Sequence, residues 1–340
     1  MRVRHGGLLS VAALAIACGG PTSTTPTPAP SSPATPTPTA TPTPTPTPNA
    51  ALDGIYVAGS SGEVATLWKD GVAIPLTGAT SAYSVAVSGS DVYVAGYKTT
   101  SNGDVAVLWK NGAPFTLEGW NARATSVAVS GSDVYVAGWL IGLGLSASHD
   151  AMLWKNGVAT HLTQATLDCS ARAWGVAVSG GDVFAVGWEG YDCHGHVGAV
   201  LWKNGAAVPL TDGWNDSANA VTVSGGDVYV AGAGDGAAVL WKNEVPVPIA
   251  AGTSANAVAV SGSDVYVAGS RGNAAVLWKN GVATLLADGN SANAVAVSGD
   301  DVYVAGSSLK AAMVWKNGVA IPLTDGTTPA SANSIVVIPR

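Results

Sequence analysis

Residues 254–286 read SANAVAVSGSDVYVAGSRGNAAVLWKNGVATLL, and this stretch decides the fold. It holds four short runs of small and β-branched residues, at 254–260, 265–269, 275–278 and 282–286. The steps between them are Ser-Gly-Ser-Asp (261–264), a polar loop, and Asn280-Gly281. Runs of this length broken by tight-turn chemistry, with glycine where φ must be positive, predict four antiparallel strands, a to d. The unit recurs along the chain. Trp68, Trp109, Trp154, Trp202, Trp241, Trp278 and Trp315 each precede a Lys, at spacings of 41, 45, 48, 39, 37 and 37 residues. Periods of roughly 40–50 residues in all-strand repeats belong to propeller blades.

The ends of the array complement one another. The first unit opens at Gly54-Ile55-Tyr56-Val57-Ala58-Gly59, a b strand, while residues 331–338 read SANSIVVI, an a strand with no successor. Supplying the missing strand of the first blade from the C-terminus closes the ring and leaves no long sheet edge exposed. The expected fold is therefore all-β, a seven-bladed β-propeller of four-stranded antiparallel blades, spanning residues 51–340.

The order Val-Ala-Val-Ser-Gly, then Val-Ala-Gly-Ser, then Leu-Trp nine residues after that glycine resembles WD40 repeats over nearly all of residues 53–338. Each tryptophan is followed by Lys where WD40 repeats carry Asp, and no Gly-His pair opens the units. The repeats thus look more like those of WD40-like bacterial surface propeller lipoproteins. The resemblance implies the propeller fold, and the partner biology of WD40 proteins does not follow from it.

Ahead of the array, Arg2 and Arg4 precede an apolar run from Leu8 to Ile16, which is too short to span a bilayer and reads as an export signal over residues 1–17. The run ends Ala15-Ile16-Ala17-Cys18, which resembles a bacterial lipobox and implies lipidation, including palmitate, at Cys18. Residues 18–50 are then a Thr/Pro-rich stalk. At about 3.1 Å per residue in polyproline II, it would reach up to roughly 90 Å. Gly19 stands where an Asp would resemble an inner-membrane retention signal. The expectation is an exported lipoprotein of the outer membrane or cell surface, held to the membrane by its N-terminal lipid.

The formal net charge is −7 and only 11% of residues are charged, so a nucleic-acid partner is not expected. One Trp-Lys pair per unit reads as packing between blades. Asp91, Asp133, Asp182, Asp227, Asp264 and Asp301 read as acceptors within their own a–b turns. Asn243-Glu244 replaces the Asn-Gly turn once and predicts a strained or longer hairpin.

Departures from the repeat gather on the rim that carries the b–c and d–a loops. The b–c loops of blades two to four are the long ones, at Tyr97–Asp104, Trp139–Asp150 and Trp188–Gly198. At the channel mouth, the position ahead of strand a reads Asn333, Tyr83, Thr125, Trp174, Asn219, Asn256 and Asn293 around the ring. An aromatic crescent beside an amide arc suits stacking on sugar rings or gripping a protein segment. The expected ligand-binding residues are Tyr83, Tyr97, Trp120, Trp139, Trp174, Trp188 and Trp214.

Cys169 and Cys193 fall on this rim and are expected to pair as a disulfide. Glu189, Asp192, His194 and His196, with His149 and Asp150 nearby, invite a metal or acid–base reading. No nucleophile motif or phosphate loop accompanies them, so no metal, cofactor or catalytic residue is assigned. The chain is thus expected to be a monomeric, lipid-anchored recognition module for glycan or cell-wall material, and not an enzyme. An envelope scaffold for a protein partner is the alternative, with a hydrolase or lyase centred on blades three and four ranked lower.

Overall fold

The computed structural model describes residues 49–141, 148–163, 170–190, 198–213, 215–247 and 249–338. Among these residues, 28 strands form seven sheets, each of four antiparallel strands. The a strands are β4 (Ser81–Ser88), β8 (Ala122–Ser130), β12 (Ala171–Ser179), β16 (Ser217–Ser224), β20 (Ser254–Ser261), β24 (Ser291–Ser298) and β28 (Ala330–Val337). Each touches the next around the ring, so they line the central channel. Strand β28 pairs with β1 (Ile55–Ser61) from Ile55↔Val337 to Ser61↔Ala330, and the C-terminus closes the first blade.

Seven apolar clusters hold the ring together, one at each junction between neighbouring blades. Trp68 of blade one packs with Tyr303, Ala305 and Val314 of blade seven, and Trp154 of blade three with Tyr93 and Leu108 of blade two. All seven repeat tryptophans are 0–1% exposed, so the one large ring per blade is the wedge between sheets. The outer d strands have only three or four residues, and five of the seven contain proline, as in β3 (Val72–Pro75) and β27 (Val319–Pro322). Short edges that lack donors do not template pairing with another chain.

On the rim of short turns, the repeat aspartates do not bond within their own turns. Asp91 accepts from Asn111 at 2.8 Å and pairs with Lys110 at 2.7 Å, and both partners belong to the c–d hairpin of the same blade. Lys110 also lies 5.3 Å from the Tyr93 ring. The bonds from Lys110 and Asn111 lower the Asp91 carboxyl from its ordinary value. The same triad links the two hairpins in blades three to seven, because the carboxylate at the start of strand b faces the Asn of the neighbouring turn. The Asn243-Glu244 hairpin keeps its two-residue length, with Lys242 opposite Val245. Glu244 sits at φ 70, where other blades use glycine.

Candidate functional site

The channel-mouth residues lie inside the a strands, not ahead of them, and each is the extra residue of a β-bulge. In blade two, Ala82 pairs with Gly96 and Ser84 with Ala95, which leaves Tyr83 without a cross-strand partner. The same shift skips Thr125, Trp174, Asn219, Asn256, Asn293 and Asn333. The glycine of every Val-Ala-Gly or Ala-Val-Gly run permits it. A Cβ on Gly96, Gly269 or any of the other five would overlap a carbonyl oxygen of the bulged strand, that of Ser81 or Ser254 in these two cases. A bulge re-aims its side chain, and all seven residues line one cavity of about 330 Å³.

The amide arc is occupied by the fold itself. Asn256 Oδ1 accepts from Ser254 Oγ at 2.7 Å. Its Nδ2 donates to Ala292 O at 3.0 Å and to Ser291 Oγ at 3.4 Å in the next blade. Asn219 and Asn293 repeat this latch, and Asn333 donates to Ala82 O across the closure. Thr125 bonds Ala173 O instead, at 2.8 Å. With both amide groups engaged, these asparagines are inter-blade latches.

Where five blades place Ser81, Ser217, Ser254, Ser291 or Ser331, blades three and four place Arg123 and Arg172. These two guanidinium groups join the aromatic residues into a ladder. Tyr83 stacks on Tyr97 at 5.8 Å, and Arg123 Cζ lies 4.2 Å from Tyr97 and 5.2 Å from Trp139. Arg172 Cζ then lies 5.0 Å from Trp139 and 5.9 Å from Trp174. Cations over ring faces gain more as water is excluded. Sequence reasoning missed both arginines, although aligning the repeats two positions ahead of the bulge shows them.

The two cations differ in pairing. Arg123 binds Asp104 through Nε and Nη2, both at 2.6 Å, and Asp104 is braced by Thr99. Arg172 donates from Nη2 to His149 Nε2 at 2.8 Å, and its buried Nε has no partner. Burial, with the charges of Arg172 and Arg123 added, pushes His149 down to about 4, so the imidazole is neutral at pH 7. Burial and the Arg123 charge likewise push Arg172 down.

A second cavity of about 530 Å³ opens beside the channel mouth, lined by His149, Arg172, Trp174, Trp188, Asp216 and Asn219 among others. Trp174 and Asn219 belong to both cavities. Of the expected ligand-binding residues, Tyr83, Trp174 and Trp188 are half-buried and line these spaces. Tyr97 is half-buried behind Tyr83. Trp139 is only 5% exposed, held between two arginines and against His149. It supports the ladder and lines neither cavity. Trp120 is 59% exposed and lines neither cavity.

Trp214, Cys169, Cys193, Asp192, His194 and His196 lie outside the described residues, as does Cys18. The expected disulfide accordingly finds no support among the described residues. No three His, Cys, Asp or Glu side chains among them converge as a metal site.

No family model matches this chain, and no curated protein matches it. Solved structures do. One is a puromycin-hydrolyzing peptidase of Mycobacterium tuberculosis, 13% identical with a TM-score of 0.47, matched over 85% of this chain; the matched region spans 55% of the peptidase. Another is apo AztD from Citrobacter koseri, 13% identical over 83% of this chain and 97% of that one, with a TM-score of 0.45. A third is the propeller domain of the Trilobed protease from Pyrococcus furiosus, described as having an open velcro topology. It is 11% identical over 81% of this chain and 79% of that one, with a TM-score of 0.39.

The expectation that the chain is not an enzyme is withdrawn on this finding. Two of the three similar structures are described as a peptidase and as part of a protease. At these values the likeness assigns no activity to this chain.

Proposed function

We propose that this chain is a cell-envelope recognition module that binds a saccharide in the two adjoining cavities, one at the channel mouth and one over blades three to five. The observation that carries this reading is the pair of half-buried indoles, Trp174 and Trp188, lining one 530 Å³ space with Arg172, His149 and Asp216. Cavities of about 300–1,000 Å³ lined by aromatic residues and a few polar groups suit small ligands. The C–H faces of a sugar ring stack on indoles while its hydroxyls need such polar partners. In this reading Cys18 carries the lipid, residues 18–50 tether the propeller to the outer membrane or cell surface, and Cys169 and Cys193 brace the rim.

The test is a glycan array probed with the full chain beside a Trp174→Ala/Trp188→Ala variant. Specific binding lost in the variant, with an unchanged melting temperature, is the expected result. Equal binding by both overturns the assignment of the site. Labelling with an alkynyl palmitate, lost in Cys18→Ser, checks the anchor.

Trp120 favours a second reading, a protein partner at the rim, because a tryptophan 59% exposed and apart from both cavities suits an interface anchor. Crosslinking on cells, compared with Trp120→Ala, distinguishes it.

A further inference from the structure

We propose that the ligand of the 530 Å³ cavity is an acidic saccharide whose carboxylate is taken by Arg172. This rests on the saccharide reading above and adds the chemical class. Seven of the twelve described lysines and arginines are matched by carboxylates. Lys110, Lys155, Lys203, Lys242, Lys279 and Lys316 each pair with the aspartate of their own blade, and Arg123 pairs with Asp104. Arg172 is not so matched, and of the described cations it is the one that lines the 530 Å³ cavity. Among the described residues it bonds only His149, a neutral acceptor, and it stands beside a second guanidinium without a carboxylate of its own.

A half-buried, uncompensated guanidinium is costly unless something else completes it. Its Cζ lies 5.0 Å from the Trp139 ring and 5.9 Å from the Trp174 ring, and His149 holds Nη2, so the group is positioned before any ligand arrives, and a planar guanidinium matches a carboxylate. The cavity's own carboxylate, Asp216, is engaged through Oδ1 by the Asp235 N–H at 2.8 Å. The net charge of −7 does not forbid an anion here. Surface charges farther than about 8 Å are largely screened at physiological ionic strength, while Arg172 acts at contact. A carboxylate on a pyranose ring would put its ring face within reach of Trp174 and Trp188.

The experiment uses the full chain and an array pairing uronic-acid oligosaccharides with their carboxyl-reduced neutral counterparts and with sulfated forms of the same neutral sugars. The expected result is binding to a carboxylated member, about ten-fold or more weaker to its neutral counterpart. Arg172→Gln should lose this preference, and Arg172→Lys, which keeps the charge, should retain part of it. Thermal melts of both variants report whether the fold persists. Equal binding of acidic and neutral members overturns the inference and leaves the saccharide reading standing. Preference for sulfated members overturns the carboxylate assignment. No binding to any member overturns the saccharide reading, and this inference with it.

Discussion

Arg172 donates a hydrogen bond of 2.8 Å to Nε2 of His149, and since a guanidinium only donates, the imidazole must present that nitrogen unprotonated. The proton of the neutral ring then sits on Nδ1, 3.3 Å from Ser170 Oγ. One histidine at the cavity wall is thereby tied to the charge state of its neighbour.

Acid should loosen this contact. His149 is pushed from 6.5 down to about 4 in the folded state, so between these values the unfolded chain binds the extra proton and the folded chain does not. Stability therefore rises with pH across this window and falls as pH drops from about 6.5 toward 4. Melting temperatures measured from pH 7 to 4 should decline less steeply in His149→Gln, which keeps an acceptor for Arg172 and does not titrate. Parallel curves for the two proteins would refute the assignment.

The wedge role of the repeat tryptophans separates them from the rim tryptophans. Trp154 is fully buried against blade two, and Trp154→Ala should cost about 3–5 kcal/mol in denaturant unfolding. Trp120→Ala should leave the midpoint within about 0.5 kcal/mol, because its ring is mostly in solvent.

Glycine at the bulge is a packing requirement. Gly269→Ala would drive a methyl into the Ser254 carbonyl, with an expected loss of about 1–3 kcal/mol in the same measurement. The relaxed strand should also displace Asn256, so altered chemical shifts of the Asn219, Asn256 and Asn293 side-chain amides would accompany the loss.

Glu244 is the one residue that holds the second position of a c–d turn at positive φ without being glycine. Relieving a left-handed conformation is worth about 1–2 kcal/mol per residue, offset in part by the greater unfolded freedom of glycine. Glu244→Gly should raise stability by up to about 1 kcal/mol, read as a higher melting temperature.

Much of this architecture could be read from residues 254–286 and their recurrences, because strand and turn preferences act over a few residues and repeat faithfully. The blade count, the closure through residues 330–337 and the wedge role of Trp68 to Trp315 all follow from such local pattern. The position occupied by Tyr83, Thr125 and Trp174 was also legible, as a variable site in a regular register. Its cause was not: the bulge depends on Gly96 and its counterparts meeting carbonyl oxygens on the neighbouring strand.

Composition and order along the chain thus determined a closed ring with one irregular rim, since each blade is specified by its own residues. Which rim residues face a ligand was decided only when the blades came together. Trp139 and Trp188 occupy the same position near the end of strand b, yet the first is buried beside Arg123 and Arg172 while the second lines an open cavity. Asn256 reads as one member of an amide arc in the chain and is an engaged latch in the ring. Burial and hydrogen-bond satisfaction belong to neighbours supplied by the next blade, about 37–48 residues away, and no local pattern in the sequence records them.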